Sequence, residues 1–201
     1  MPLSTIPASI KLSVIGGGLG VLLFIGFLFY SANFVHTQKL VAVFPATLAL
    51  EPNQLEAKAA LVYDPAEHRI LFQKNATASL PLASLTKLMS AQTVLAHTKG
   101  STLVTITPDD LKPDGDSGFV AGDIVKLSDL INFALVASSN DAMAAASASL
   151  GAEYLNEMNR TAGKLGLSNT YFLNPTGLDL SKETAGAYGS AYDVARLAAA
   201  F

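Results

Sequence analysis

The sequence predicts a mixed helix-and-strand domain carried behind a long apolar N-terminal segment. Three observations predict it. Apolar residues run almost unbroken from Leu12 to about Phe34. Two strand-like runs, Ala59–Tyr63 and Ile70–Lys74, flank the turn Asp64-Pro65-Ala66-Glu67-His68 and read as an antiparallel hairpin. Alanine-rich runs with helical periodicity fill most of the remainder. A length of 201 residues suits one domain plus an extra segment.

Composition narrows the function classes. A formal net charge of −3 with no basic run argues against nucleic acid as a partner. The absence of cysteine excludes disulfides and thiol chemistry. The three histidines, His36, His68 and His97, have no metal-ligand spacing, so no metal is expected.

Taken in order, the first element is the apolar stretch. A helix of about 20 such residues spans the hydrocarbon core of a bilayer. Residues 1–35 therefore read as a membrane anchor with a transmembrane helix over about 12–34. The alternative is a cleaved signal peptide, whose apolar core runs only about 7–15 residues before a small-x-small site. The longer run here favours the uncleaved anchor. Lys11 and Lys39 are too few to fix its orientation. Residues 36–56 read as a linker broken at Pro45 and Glu51-Pro52-Asn53, with Leu40–Phe44 as an alternative packing strand. The globular part is expected over 57–201.

After the hairpin, Pro81 precedes a run whose apolar members are Leu85, Leu88, Met89 and Leu95, which predicts a helix. It contains Ser84 and Lys87. On a helix, residues three apart share a face, with about 5–6 Å between Cβ atoms. The positive end of the helix dipole favours a developing alkoxide and disfavours a charged lysine. Apolar neighbours lower the lysine pKa further by desolvation. A neutral lysine beside a serine makes a nucleophile. The same spacing also fits a first-turn serine next to a solvated lysine.

Further on, Thr102–Thr107 is a short strand stopped by Pro108, and Asp109–Asp123 is a polar, glycine-rich loop. Leu127–Ala137 is a helix with Ser128 as its expected cap. Ser138-Ser139-Asn140 breaks it, and a new alanine-rich helix begins near Asp141. That break either aims a hydroxyl and a carboxamide into a cleft or is a hydrogen-bonded helix junction. Glu153–Leu165 places Tyr154, Leu155, Met158, Ala162 and Leu165 on one face and stops at Gly166. Thr170–Leu173 is extended and Asn174-Pro175-Thr176-Gly177 turns. Ser190 and Asp193 form a capping box for the last helix, with Val194, Leu197, Ala198 and Phe201 as its stripe.

Two look-alike motifs carry less. Gly115-Asp116-Ser117-Gly118 copies the nucleophile string of chymotrypsin-like proteases, but a surface loop explains it better. Glu153-Tyr154-Leu155-Asn156 is off register for the deacylating glutamate of β-lactamases, and Glu153 reads as solvated. His68 and His97 read as a solvated turn residue and a helix C-terminal cation.

Ser84-x-x-Lys87 followed by Ser138-x-Asn140 resembles the signature of penicillin-binding proteins and their β-lactamase relatives. Together with Leu61-Val62-Tyr63-Asp64 and Asn174-Pro175-Thr176-Gly177-Leu178-Asp179, the chain from about Ala57 to Phe201 resembles the D-alanyl-D-alanine carboxypeptidases. That resemblance implies an α+β penicillin-binding, β-lactamase-like transpeptidase fold: an antiparallel sheet with helices, plus a helical subdomain carrying Ser138 and Asn140. It implies Ser84 as nucleophile, Lys87 as general base, Ser138 as proton relay and Asn140 as a substrate-binding residue. The implied partners are peptidoglycan stem peptides, β-lactams as inhibitors, and a bacterial membrane with the catalytic domain on its extracytoplasmic side. No cofactor is implied. A β-lactamase, a D,D-endopeptidase and a non-catalytic wall-binding relative are the alternatives on the same fold. The family's third motif, Lys-Thr-Gly or a close variant, has no match here, since Pro175-Thr176-Gly177 lacks the cation. The expectation is a sequence truncated before that motif, inactive or nearly so as it stands.

Overall fold

The computed structural model describes residues 55–115 and 118–201. The expected membrane helix at 12–34, the 36–54 part of the expected linker and the Leu40–Phe44 run lie outside the described residues, as do Asp116 and Ser117. Among the described residues, no helix is long and apolar enough to cross a membrane.

Strands β1 (Ala60–Asp64) and β2 (Arg69–Lys74) pair antiparallel, as the hairpin pattern requires. The turn forms because the Asp64 carboxylate accepts from the backbone N–H groups of Ala66 and Glu67, at 3.1 and 3.2 Å. β3 (Leu80–Pro81) leads into a 3₁₀ turn, Ala83–Leu85, and then α1 (Thr86–His97). β4 (Leu103–Thr105) pairs antiparallel with β5 (Ile124–Lys126), across the Asp109–Asp123 loop. α2 (Leu127–Val136) and α3 (Asn140–Ala148) follow. A second 3₁₀ turn, Gly151–Glu153, opens α4 (Tyr154–Lys164). β6 (Tyr171–Phe172), β7 (Ala187–Gly189) and α5 (Ala191–Ala200) complete the described chain.

The antiparallel strands are distributed over three small sheets rather than one: β1-β2, β3-β7-β6 and β4-β5. β7 was not legible in the sequence, yet it is the central strand that holds β3 beside β6. α1 is the hub of the helical layer and packs on α2, α3, α4 and α5. The core runs through Met89 and Val94 of α1, Leu130 and Ile131 of α2, Met143 of α3, Met158 of α4 and Leu197 of α5. Full burial of each such side chain contributes about 1.5–3 kcal/mol. Ala142, Ala145 and Ala146 are fully buried on α3, so this helix can approach α1 and α2 closely.

Three local expectations are corrected. The apolar run expected on α1 is packed only in part: Met89 is fully buried and Leu88 packs against the core, but Leu85 and Leu95 are 50% and 45% exposed. The buried face also includes Thr86, Lys87, Ser90 and Thr93 beside Met89 and Val94. Ser128 does not cap α2. The cap position is Lys126, and the first N–H groups of the helix are satisfied by the Thr102 and Gly100 carbonyls at 2.9 Å each. Ser190 does cap α5, accepting from Asp193 N at 3.1 Å. The Asp193 carboxylate, however, accepts from Asn169 N and Thr170 Oγ1, at 2.8 and 2.9 Å, and so ties α5 to the approach of β6.

Ser139 is the side-chain cap of α3, accepting from Ala142 N at 3.1 Å. Ser139→Ala is expected to lower stability by about 1 kcal/mol. Thermal unfolding of the variant beside the unsubstituted protein measures it.

Candidate active site

Ser84 lies in the 3₁₀ turn that runs directly into α1, two residues before the first α-helical residue, Thr86, and not in the α-helix itself as expected. Lys87 is the second residue of α1. The two still meet: Lys87 Nζ is 2.9 Å from Ser84 Oγ. Ser84 is exposed, whereas Lys87 is only 1% exposed, so an open hydroxyl is backed by a buried amine.

Burial pushes the Lys87 amine below its usual pKa of 10.5, because the charged form loses its hydration. Its second partner is the Thr176 carbonyl, which accepts from Nζ at 3.1 Å. Among the described residues no carboxylate forms an ion pair with it. No ion pair among the described residues offsets the cost of burying the charge, which works toward the neutral form of the amine.

Ser138 arrives from the break between α2 and α3, 54 residues away in sequence, and its Oγ stands 2.8 Å from Ser84 Oγ. Ala83 and Ser138 both adopt left-handed backbone conformations, with φ of 45° and 58°. Such conformations cost about 1–3 kcal/mol for non-glycine residues and collect at working sites. Here they turn two hydroxyls toward one another. Asn140, the first residue of α3, is half-buried, and its Nδ2 donates to the Asp114 carbonyl at 2.6 Å. Its carboxamide therefore meets the Asp109–Asp123 loop and is hydrogen-bonded to neither Ser84 nor Lys87.

A cleft of about 420 Å³ opens beside these groups, lined by Leu82, Leu85, Leu88, Ala134 and Leu135 together with Ser84, Lys87 and Ser138. The arrangement can deprotonate a hydroxyl by a neutral amine and offers a second hydroxyl within relay distance. Glu153 is exposed and accepts from Asn156 Nδ2. His97 ends α1 at 3.5 Å from Glu157 Oε1, and His68 is exposed on the hairpin turn.

The sequence reading missed the floor of the site. The Asn174–Gly177 turn passes directly beneath the Ser84 segment. Ser90 Oγ donates to the Pro175 carbonyl at 2.6 Å, and Thr176 and Gly177 are buried. A Cβ on Gly177 would stand 1.9 Å from the Ala83 carbonyl oxygen, and its φ is +82°. The glycine was visible as a turn residue, but its contact with Ala83 was not.

The family model for D-alanyl-D-alanine carboxypeptidase matches residues 46–201. The chain belongs to this family. The D-alanyl-D-alanine carboxypeptidase DacF of Bacillus subtilis is 33% identical over 152 residues, covering 71% of this chain and 38% of the relative. A D-alanyl-D-alanine endopeptidase of Pseudomonas aeruginosa is 31% identical over 139 residues, covering 63% of this chain and 43% of the relative. Among solved structures, a penicillin-binding protein of Listeria monocytogenes in its ampicillin-bound form superposes with a TM-score of 0.63 at 30% identity. That match covers 73% of this chain and 61% of the other. Helices combined with antiparallel sheets are thus the architecture the family shares. The chain spans about two fifths of the length of the curated relatives it matches.

Gly177→Ala is expected to destabilise the fold by about 3 kcal/mol or more, since the methyl must displace backbone and sit at positive φ. Chemical denaturation measures this. A second expectation concerns pH. Between the lowered pKa of Lys87 and 10.5, the unfolded chain binds a proton that the folded chain does not. Stability therefore gains a rising contribution with pH across that window. Lys87→Met should remove it, which thermal unfolding of both proteins from about pH 7 to about pH 10 checks.

Proposed function

We propose that the full-length protein is a serine D-alanyl-D-alanine carboxypeptidase that removes the terminal D-alanine of peptidoglycan stem peptides. One observation carries the proposal: Ser84 Oγ lies 2.9 Å from a buried amine and 2.8 Å from a second hydroxyl. In this reading Ser84 Oγ attacks the carbonyl between the two D-alanines while its proton passes to neutral Lys87. Ser138 hands that proton to the departing D-alanine amine as the C–N bond breaks. The Ser84 backbone N–H supplies one donor for the oxyanion. Water then hydrolyses the acyl-enzyme and regenerates the serine. Asn140 orients the substrate backbone with its carboxamide, which requires it to release the Asp114 carbonyl or share it.

The ampicillin-bound relative supports extending β-lactam binding to this protein, with Ser84 as the acylated atom's residue. Endopeptidase activity on cross-linked stem peptides is the second reading, favoured by the Pseudomonas aeruginosa relative. We place the catalytic domain on the extracytoplasmic side of a bacterial membrane, held by the apolar segment at 12–34. The length of that segment supports an uncleaved anchor.

A fluorescent penicillin should label the full-length protein stoichiometrically and label Ser84→Ala at background. Equal labelling of both would end the assignment of Ser84. Release of D-alanine from an uncross-linked pentapeptide, rather than opening of cross-linked dimers, is the expected activity, read by chromatography of the products.

A further inference from the structure

We propose that Asn174 is a positioning residue that orients the Lys87 amine through the Thr176–Gly177 peptide unit; this rests on the reading of Ser84 and Lys87 as nucleophile and base. A neutral primary amine has two N–H donors and one lone pair. Only when the lone pair faces Ser84 Oγ can the amine take its proton. The lysine stem is flexible, so the partners of its N–H groups decide where that lone pair points. Among the described residues, Nζ has one hydrogen-bond partner besides Ser84 Oγ, and it is the Thr176 carbonyl at 3.1 Å.

That carbonyl belongs to the same planar unit as the Gly177 N–H. No peptide bond among the described residues is cis, so the C=O and N–H of this unit point in opposite directions. Asn174 Oδ1 accepts from Gly177 N at 2.7 Å and from Thr176 N at 3.1 Å. Holding the Gly177 N–H on one side of the plane holds the Thr176 carbonyl on the other, toward Lys87. Asn174 is itself fixed, since its Nδ2 donates to the Leu178 carbonyl at 2.7 Å and its backbone N–H to Gly186 at 3.0 Å. Glycine's backbone freedom on one side of the unit gives that plane little intrinsic resistance to rotation. The Asn174 side chain supplies resistance, together with the packing of Gly177 against Ala83.

The test measures acylation of the full-length protein by a fluorescent penicillin, separating the noncovalent dissociation constant from the acylation rate constant. Asn174→Ala should slow acylation about tenfold or more with the noncovalent constant within about twofold of the unsubstituted protein. Asn174→Asp keeps the Oδ1 acceptor but loses the Nδ2 donor to the Leu178 carbonyl, so it should recover part of the rate. Asn174→Ser, whose shorter hydroxyl accepts more weakly, should fall between them. Should Asn174→Ala fail to fold, the Asp and Ser variants decide, with Ser several-fold slower. Equal acylation rates across the series, or rates that follow thermal stability and not the acceptor, would overturn the proposal alone. Failure of the unsubstituted protein to form a Ser84 adduct would overturn the reading of Ser84, and this proposal with it.

Discussion

A buried amine held against an exposed hydroxyl constrains the rest of this structure. Lys87 Nζ meets a serine oxygen and a backbone carbonyl, and no carboxylate pairs with it among the described residues. Ordinary stability arguments would place an ion pair or an apolar side chain there. Neither would leave an unpaired amine beside a hydroxyl at the mouth of a cleft. The buried face of α1 is accordingly polar along Thr86, Lys87, Ser90 and Thr93, and the floor beneath it is backbone.

Keeping that geometry requires rigidity from outside the site. α1 packs on four other helices, and the alanines of α3 allow one of those contacts to be close. The left-handed residues Ala83 and Ser138 flank Ser84 from two different elements. Leu82 N–H donates to the Ala187 carbonyl of β7 at 3.0 Å, which anchors the start of the Ser84 segment from below. Close packing of Gly177 under Ala83 limits it further. The strain is local and modest, and the helical layer that supports it is extensive.

Much of the chain was legible because local rules govern it. The Asp64 turn, the Gly166 stop, the Ser190 cap and the break at Ser138–Asn140 each follow from a few neighbouring residues. Legibility failed where a distant element did what a neighbour was expected to do. Ser128 was not needed as a cap because Gly100 and Thr102 offered carbonyls. β5 and β7 are three residues each, too short for a periodic pattern, and exist because a partner strand meets them. The apolar run on α1 misled in part, because Leu85 and Leu95 remain exposed while Lys87 is buried beside Met89.

The sequence by itself determined that Ser84 and Lys87 face one another, because a three-residue spacing on a helical turn is a local geometric fact. Tertiary structure alone decided that Ser138, 54 residues further on, and the Thr176 carbonyl, 89 residues beyond Lys87, close the same site. No local periodicity encodes those meetings. They arise from the packing of α1 against the elements around it, and from a peptide plane whose direction is set by an asparagine the motif pattern does not single out.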